Sequence, residues 1–331
     1  MLTLTYIVYT MKILHVFRST FLALALAASL PASAVDIAII DHAESKDDQR
    51  RDFARIVLRA ALERTAGEYG PYQIEEAPVF MERARLFSAL KDGKPVNITA
   101  MLADTEWQQG LPSIPIPIDL GLQSWRLMLA DSQSLPRLQQ LAKNGQLAQA
   151  RAGVGSTWAL RSILEENRYH IVTGNSYEGL FLMLQAGRFD YLPRSLVDVF
   201  NEYEKHREKF PGLAIEEGVV LHARMPWLFF ISPQENRLHQ RVAAGLEAML
   251  KDGSLAQLVL AHYRNALKRA RLCERIHIDL PNSQLEPALL ARRELWFDPF
   301  DPRHGICPRT RIPEKAKAPP GGAFEGGRRS N

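Results

Sequence analysis

Short apolar runs alternate with amphipathic stretches after residue 34, and this order constrains the possible folds more than any other feature. Val35-Asp-Ile-Ala-Ile-Ile40 is typical of a buried strand. Residues 52–69 carry apolar side chains at helical spacing and end at Gly70-Pro71, which predicts a helix. The pattern continues with a predicted strand at 72–77, a helix at 81–90 and a strand at 96–102. This β-α-β-α-β order predicts a largely parallel sheet with helices on its faces.

A second α/β unit follows a stiff connector. Prolines alternate with isoleucines over residues 113–119, and since proline cannot donate to a β-ladder, we expect an edge or connecting strand. It leads into a predicted strand at 125–130, so we interpret it as a hinge. Strands are predicted at 152–155, 170–173, 189–192 and 227–231, helices at 158–167, 177–186, 196–209, 236–250 and 254–271, and a second extended crossing at 213–222.

The amino terminus has the pattern of a secretory leader. Lys12 and Arg18 precede the apolar run of residues 21–30, and Ala32-Ser33-Ala34 fits a small-x-small cleavage site. The run is shorter than the about 20 residues that a membrane helix needs. We therefore expect export to the periplasm with cleavage after Ala34, and a soluble mature protein without a lipid anchor. Met11 is an alternative start to Met1.

The basic charge of the chain is concentrated in its tail. The formal net charge is +4, of which the leader carries two positive charges. Residues 299–331 carry a net charge of about +4, so the body between them is close to −2. A nucleic-acid interface needs basic residues clustered on a folded face, and we expect no nucleic-acid partner. Residues 301–331 are Pro- and Gly-rich and are predicted to be a disordered basic tail.

Motifs for catalysis, metals and cofactors are absent from the sequence. Cys273 and Cys307 have no metal-ligand spacing; they form either one disulfide or two free thiols. We expect no enzymatic activity, no metal and no cofactor.

Two places in the sequence could contact a ligand. Gly153-Val-Gly155-Ser156-Thr157 joins a strand to a helix, where backbone N–H groups and hydroxyls attract an anion. The alternative is that the hydroxyls only cap the helix. His42 follows the first strand and could reach a pocket, or it is a solvated loop histidine.

Several segments resemble the type II periplasmic binding proteins, specifically solute-binding protein family 3. They are Arg151-Ala-Gly-Val-Gly-Ser-Thr157, Tyr177-Glu-Gly-Leu-Phe-Leu-Met-Leu-Gln-Ala-Gly-Arg-Phe-Asp-Tyr191 and Met249-Leu-Lys-Asp-Gly-Ser-Leu255. Asp48-x-x-Arg51, Pro115-Ile-Pro-Ile-Asp119 and Phe189-Asp-Tyr-Leu-Pro-Arg194 resemble a subgroup of transporter substrate-binding domain proteins.

The resemblance implies an α/β, two-lobed periplasmic binding protein-like II fold. Each lobe has a central, mostly parallel sheet flanked by helices, and two hinge strands join the lobes. Lobe 1 would comprise residues 35–117 plus 220–271 and lobe 2 residues 118–219, followed by an extension over 272–300.

Two departures from the family concern the ligand. Trp107 stands where the resemblance places a carboxylate-binding Arg, and Ser195, beside Arg194, stands where it places an ammonium-binding Asp. Because a buried zwitterion needs both charges, a standard free α-amino acid is a poor fit. Trp107 could stack on a ring and Arg194 could pair an anionic group. Alternatively, Trp107 packs near the hinge and Arg194 forms an interlobe salt bridge.

The resemblance implies a monomeric binding protein for a small polar or anionic solute, which it delivers to an inner-membrane permease of an ABC transporter. The alternative is a periplasmic sensor or adaptor that keeps the fold and docks on a membrane partner through residues 272–331. An enzyme ranks third: the fold is sometimes fused to cell-wall-cleaving domains, but we expect none here, because the sequence has no room for one and no acid/base pair stands out.

Overall fold

The computed structural model describes residues 35–42 and 51–308. The predicted leader, Asp48 and residues 309–331 of the predicted tail lie outside these ranges. No helix in the described ranges is long and apolar enough to cross a membrane. The strands are β1 Asp36–Ile40, β2 Tyr72–Glu76, β3 Ile98–Leu102, β4 Trp125–Asp131, β5 Ala152–Gly155, β6 Ile171–Gly174, β7 Tyr191–Ser195, β8 Leu213–Ile215, β9 Val219–Ala223, β10 Trp227–Ile231 and β11 Ile276–Leu280. The helices are α1 Asp52–Arg64, α2 Ala66–Tyr69, α3 Arg83–Asp92, α4 Thr105–Gly110, α5 Leu135–Lys143, α6 Ala159–Glu166, α7 Tyr177–Gln185, α8 Val199–His206, α9 Asn236–Lys251, α10 Ser254–His262, α11 Arg264–Ala270 and α12 Pro287–Ala291.

The first lobe is built on β1, β2, β3 and β10. Strand β1 pairs with β2 in parallel, and β3 pairs with β10 in antiparallel orientation. Asn97 joins the two pairs, because its side chain accepts from Ile39 N at 2.7 Å and donates to Ile37 O at 2.8 Å. Helices α1 and α9 pack together on this lobe. Its last strand therefore comes from a part of the chain that follows the second lobe.

The second lobe has one mixed sheet in the order β11-β9-β4-β7-β5-β6, with β8 also pairing β4. Strand β5 is parallel to β6 and β7, whereas β4 is antiparallel to β7, β8 and β9. The expected mostly parallel sheets are thus mixed, because the strands next to the hinge, β4 and β10, run against their neighbours. The fold is α/β with two lobes.

Most predicted elements are confirmed, with shifts of a few residues at their ends. The helix predicted over 52–69 breaks at Thr65, whose hydroxyl donates to Ala61 O at 3.0 Å. The helix predicted over 254–271 breaks at Tyr263. The connector at 113–119 runs beside β10 with a single isolated bridge, in agreement with an edge segment. The strand at β11 and the helices α4, α5 and α12 were not predicted.

The C-terminal extension is folded onto both lobes and continues to residue 308. Residues 301–308, expected to belong to the disordered tail, are part of it, because Cys307 is bonded to Cys273. Strand β11 pairs with β9 of the second lobe over its whole length. Phe297 N donates to Leu120 O in the hinge connector at 2.6 Å. Arg292 forms a bidentate ion pair with Glu247 of α9, at 2.8 and 3.1 Å. One hydrophobic cluster runs from the first lobe through the hinge into this extension.

Candidate functional site

The carboxyl edge of the second-lobe sheet carries most of the residues expected to bind a ligand. Ser156 and Thr157 follow β5 and precede α6; Ser156 is half-buried and Thr157 exposed. No side chain caps the first turn of α6, whose N-cap residue is Trp158. The hydroxyls and the amino end of this helix therefore form a polar edge that suits a small anion or hydroxylated solute.

Gly155 allows the Trp158 ring to lie directly against the end of β5. A Cβ added at Gly155 would lie 2.5 Å from Cε2 of the Trp158 indole. The indole in turn stacks on Arg194, whose Cζ lies 4.4 Å from the ring centroid. The glycine is thus required for the close approach that positions Trp158 and Arg194 together.

Gly155→Ala is expected to lower the free energy of unfolding by about 1–3 kcal/mol, because the added methyl overpacks the site. Urea unfolding followed by circular dichroism measures this change. Gly67→Ala is the matched control, since nothing lies within 4 Å of its added Cβ. If both variants are equally stable, the Trp158 ring moves aside without an energetic cost, and the predicted overpacking is wrong.

Arg194 is neutralised within its own lobe. Its Nε donates to Glu202 Oε2 at 2.6 Å, and its Nη2 also bonds Glu202. Burial disfavours the charge of Arg194, but Glu202 outweighs burial and raises the Arg194 pKa above its usual value. Both partners belong to the second lobe, so this is not the interlobe salt bridge offered as an alternative. Arg194 keeps Trp158 and Tyr177 in place.

Ser195 ends β7 and is 1 % exposed. Its hydroxyl accepts from Val197 N at 3.3 Å. Its neighbour across the ladder is Arg126 of β4. Sequence reasoning missed Arg126, although a charged residue within the apolar strand Trp125–Asp131 is a visible signal.

Trp107 lies inside the first lobe. It is 1 % exposed and contacts Phe87 and Phe230 edge-on, with ring centroids 5.5 and 5.2 Å away. Asp104 caps α4 by accepting from Trp107 N at 3.0 Å. Trp107 packs in the core of the first lobe and would have to leave that core to stack on a ligand. Trp107 is therefore not part of the candidate site.

His42 lies at the carboxyl edge of the first-lobe sheet within a charged cluster. Its Nδ1 is 3.0 Å from Glu76 Oε1, and Arg55 Nη2 is 2.7 Å from the same oxygen. Nearby, Asp41 pairs with Arg51 and accepts from Thr99 Oγ1 at 2.6 Å. A cavity of about 20 Å³ beside this cluster has room for about one water molecule. No group of His, Cys, Asp and Glu side chains suited to a metal occurs in the described ranges.

Asp119 anchors the hinge as a fully buried carboxylate. It accepts from Gly121 N at 3.0 Å and from Gln123 N at 2.8 Å. Burial outweighs these bonds and raises the pKa of Asp119 to about 6. Because the folded-state pKa is raised, protonation stabilises the fold below about pH 4, and this contribution is lost as pH rises through about 6.

We expect the Asp119 carboxyl to titrate near pH 6 in a carbon-13 NMR titration. Asp301 provides the comparison in the same spectra, since its hydrogen bonds to Arg303 lower its pKa to about 2. Asp119→Asn assigns the resonance by removing it. Coincident titration of the two carboxyls would contradict the hinge burial.

The sequence matches no family model and no curated protein. The fold is similar to that of an ancestral arginine-binding protein bound to glutamine, with 14 % identity, a TM-score of 0.47 and coverage of 69 % of this chain and 98 % of that one. A probable amino-acid ABC transporter extracellular-binding protein from Bacillus subtilis is also similar, with 15 % identity, a TM-score of 0.48 and coverage of 69 % and 97 %. The VFT2 domain of BvgS from Bordetella pertussis is similar too, with 15 % identity, a TM-score of 0.48 and coverage of 69 % and 92 %. At these identities and TM-scores the likenesses assign no ligand and no activity to this chain.

Proposed function

We propose that this chain is an exported, non-enzymatic protein that captures a small polar or anionic solute between its two lobes. The observation that carries the proposal is the double crossing of the chain. Strand β4 enters the second lobe and β9 leaves it, paired side by side at Trp125 and His222. The chain then returns to the first lobe at β10. Two adjacent crossings allow the lobes to rotate about one axis and close on a ligand.

The ligand is proposed to bind at the carboxyl edge that carries Ser156 and Thr157, where α/β sheets commonly bind ligands. His42 would face it from the first lobe. A standard free α-amino acid remains a poor fit, because Ser195 stands where the resemblance places the Asp that binds the ammonium group. The proposed lobe boundaries are those expected from the sequence, except that β9, Val219–Ala223, belongs to the sheet of the second lobe. Delivery to an inner-membrane permease and a monomeric state are further parts of the proposal.

The disulfide between Cys273 and Cys307 supports export. Disulfides persist in oxidising compartments such as the periplasm and are rare in the cytosol. The periplasmic location is therefore in keeping with the chemistry of the folded chain.

The sensor or adaptor alternative assigns docking to the region after residue 272. Residues 276–280 are occupied by pairing with β9, and Arg292 and Phe297 bind the chain's own lobes. A surface that already binds its own chain is a poor docking surface, which favours the binding-protein proposal. Deleting residues 309–331 tests the alternative while leaving Cys307 in place, because an adaptor would lose its membrane partner.

Titration calorimetry across a broad metabolite panel, with small-angle scattering, tests the proposed function. We expect at least one small polar or anionic solute to bind and to reduce the radius of gyration. If no solute binds and the scattering never changes, the proposal is wrong.

A further inference from the structure

Arg126 carries a buried positive charge and forms no ion pair with an Asp or Glu of the described ranges. The residue is 6 % exposed, and its Nε is buried without a hydrogen-bond partner. Within the described ranges, the hydrogen-bond partner of its guanidinium is the thioether sulfur of Met225, 3.9 Å from Nη2. A thioether is a weak acceptor and carries no charge.

The other two buried arginines are fully compensated. Arg241 Nη1 lies 2.7 Å from Asp36 Oδ2. Arg275 donates to three backbone carbonyls and lies 3.8 Å from the Glu216 carboxylate. Burying a guanidinium without such partners costs several kcal/mol. Arg126 therefore differs from the structural arginines of the same chain.

Two of the carboxylates that favour the charge of Arg126 are engaged elsewhere. Asp119 accepts from two backbone amides, and Glu202 holds Arg194. Burial and Arg194 lower the pKa of Arg126 to about 10, while Asp198, Glu202 and Asp119 favour its charged form. At neutral pH the group remains charged, and its guanidinium has no carboxylate hydrogen-bond partner among the described residues.

The sheet register places Arg126 on the proposed ligand edge. Arg126 pairs with Ser195, the last residue of β7. Strand β7 is parallel to β5 through Tyr191 and Ala152, so the carboxyl ends of both strands share one edge. The same edge carries Ser156 and Thr157. The buried cation and the hydroxyl-bearing helix end thus belong to one side of the second lobe.

We propose that Arg126 binds an oxyanion group, in the first instance a carboxylate, of the solute that enters between the lobes. This inference rests on the proposed function and specifies the charge of its ligand. The ligand oxygen would supply the charged acceptor that the guanidinium lacks, and Ser156 and Thr157 would bind other polar atoms of the same solute.

The test compares Arg126→Met with the parent chain, using acetate and inorganic phosphate as separate probes at constant ionic strength. We expect one anion to raise the melting temperature of the parent saturably. The variant should bind that anion about 10- to 100-fold more weakly, as expected for loss of a charge-assisted hydrogen bond. In chloride alone, the variant should melt at the same or a higher temperature than the parent. A response to acetate but not phosphate identifies the carboxylate class, and the reverse identifies phosphate.

Arg207→Met is the matched control, because it removes an exposed arginine at the end of α8 on the same lobe. It should respond to the anion as the parent does, and general salt effects should be equal in all three proteins. If Arg126→Met responds like the parent, or is less stable in chloride, Arg126 is structural and the inference is overturned. Small-angle scattering with the metabolite panel distinguishes the two proposals. If the parent and Arg126→Met close equally on a solute, the proposed solute-binding function is retained and the proposed role of Arg126 is rejected.

Discussion

Replacing Arg241 with methionine is expected to lower the free energy of unfolding by about 3–5 kcal/mol. The Arg241 side chain is fully buried and lies 2.7 Å from Asp36 Oδ2. It also donates to Gly70 O at 2.7 Å and to Leu62 O at 3.2 Å. Removing it leaves the largely buried Asp36 carboxylate with Arg237 as its remaining arginine partner, and it removes the arginine donor to the two carbonyls. Urea unfolding monitored by circular dichroism and by tryptophan fluorescence measures the change.

Arg237→Met is the control for this prediction. Arg237 contacts the same carboxylate, with Nε 2.8 Å from Asp36 Oδ1, but its side chain is 48 % exposed. Its loss should cost no more than about 1 kcal/mol, since solvent screens exposed ion pairs. Adding Asp36→Asn to Arg241→Met should recover part of the stability. If the two methionine variants are equally stable, Arg241 does not hold the first strand to α9.

The same substitution at Arg126 is expected to have the opposite effect on stability. Arg241 is hydrogen-bonded on all sides by its own chain, whereas among the described residues Arg126 is hydrogen-bonded to a thioether alone. Methionine removes a stabilising charge in the first case and one without a hydrogen-bonded carboxylate in the second. The two variants therefore distinguish a structural arginine from one proposed to bind a ligand.

Local sequence patterns were sufficient for most of the fold. The runs at β1 and β10 and the helical spacing at α1 and α9 are properties of neighbouring residues, and those elements were predicted. Strand β11 alternates apolar and polar residues, but its role comes from pairing with β9, more than fifty residues earlier. Helix α5 has Pro136 in its first turn, which is a sequence signal for the start of a helix. Pairing between strands that are far apart in the chain, such as β11 and β9, cannot be predicted from such local patterns.

The candidate site was predicted in part, because sequence position does not give side-chain direction. Gly155, Ser156, Thr157, Arg194 and Ser195 were expected to lie together, and the structure brings them to one edge of the second lobe. Trp107 stands where the resemblance places a carboxylate-binding Arg, but its side chain is buried in the core of the first lobe. The pairing of Arg194 with Glu202 depends on how α8 packs beside β7, which no local pattern reports.

Replacing both Cys273 and Cys307 with serine is expected to lower the free energy of unfolding by about 2–4 kcal/mol. The disulfide joins residues 34 positions apart and closes the whole C-terminal extension into a loop. Its loss increases the conformational freedom of the unfolded chain and releases the end of the segment that binds the hinge. Urea unfolding of the variant, and of the parent with and without reductant, measures the effect.

The contacts of the extension also predict which residues become less protected when the disulfide is removed. Within the extension, Phe297 N binds Leu120 O, and the Trp296 ring lies against Gly121, where an added Cβ would be 2.5 Å from the ring. Gly121 has a positive φ of 68°, so its conformation and the ring contact both favour glycine. Amide hydrogen exchange should accelerate at residues 293–297 before it accelerates in the first-lobe sheet. Arg303→Ala, which removes an ion pair internal to the extension, should leave the hinge amides protected. An unchanged unfolding midpoint in the reduced parent would show that the noncovalent contacts to Leu120, Gly121 and Glu247 hold the extension unaided.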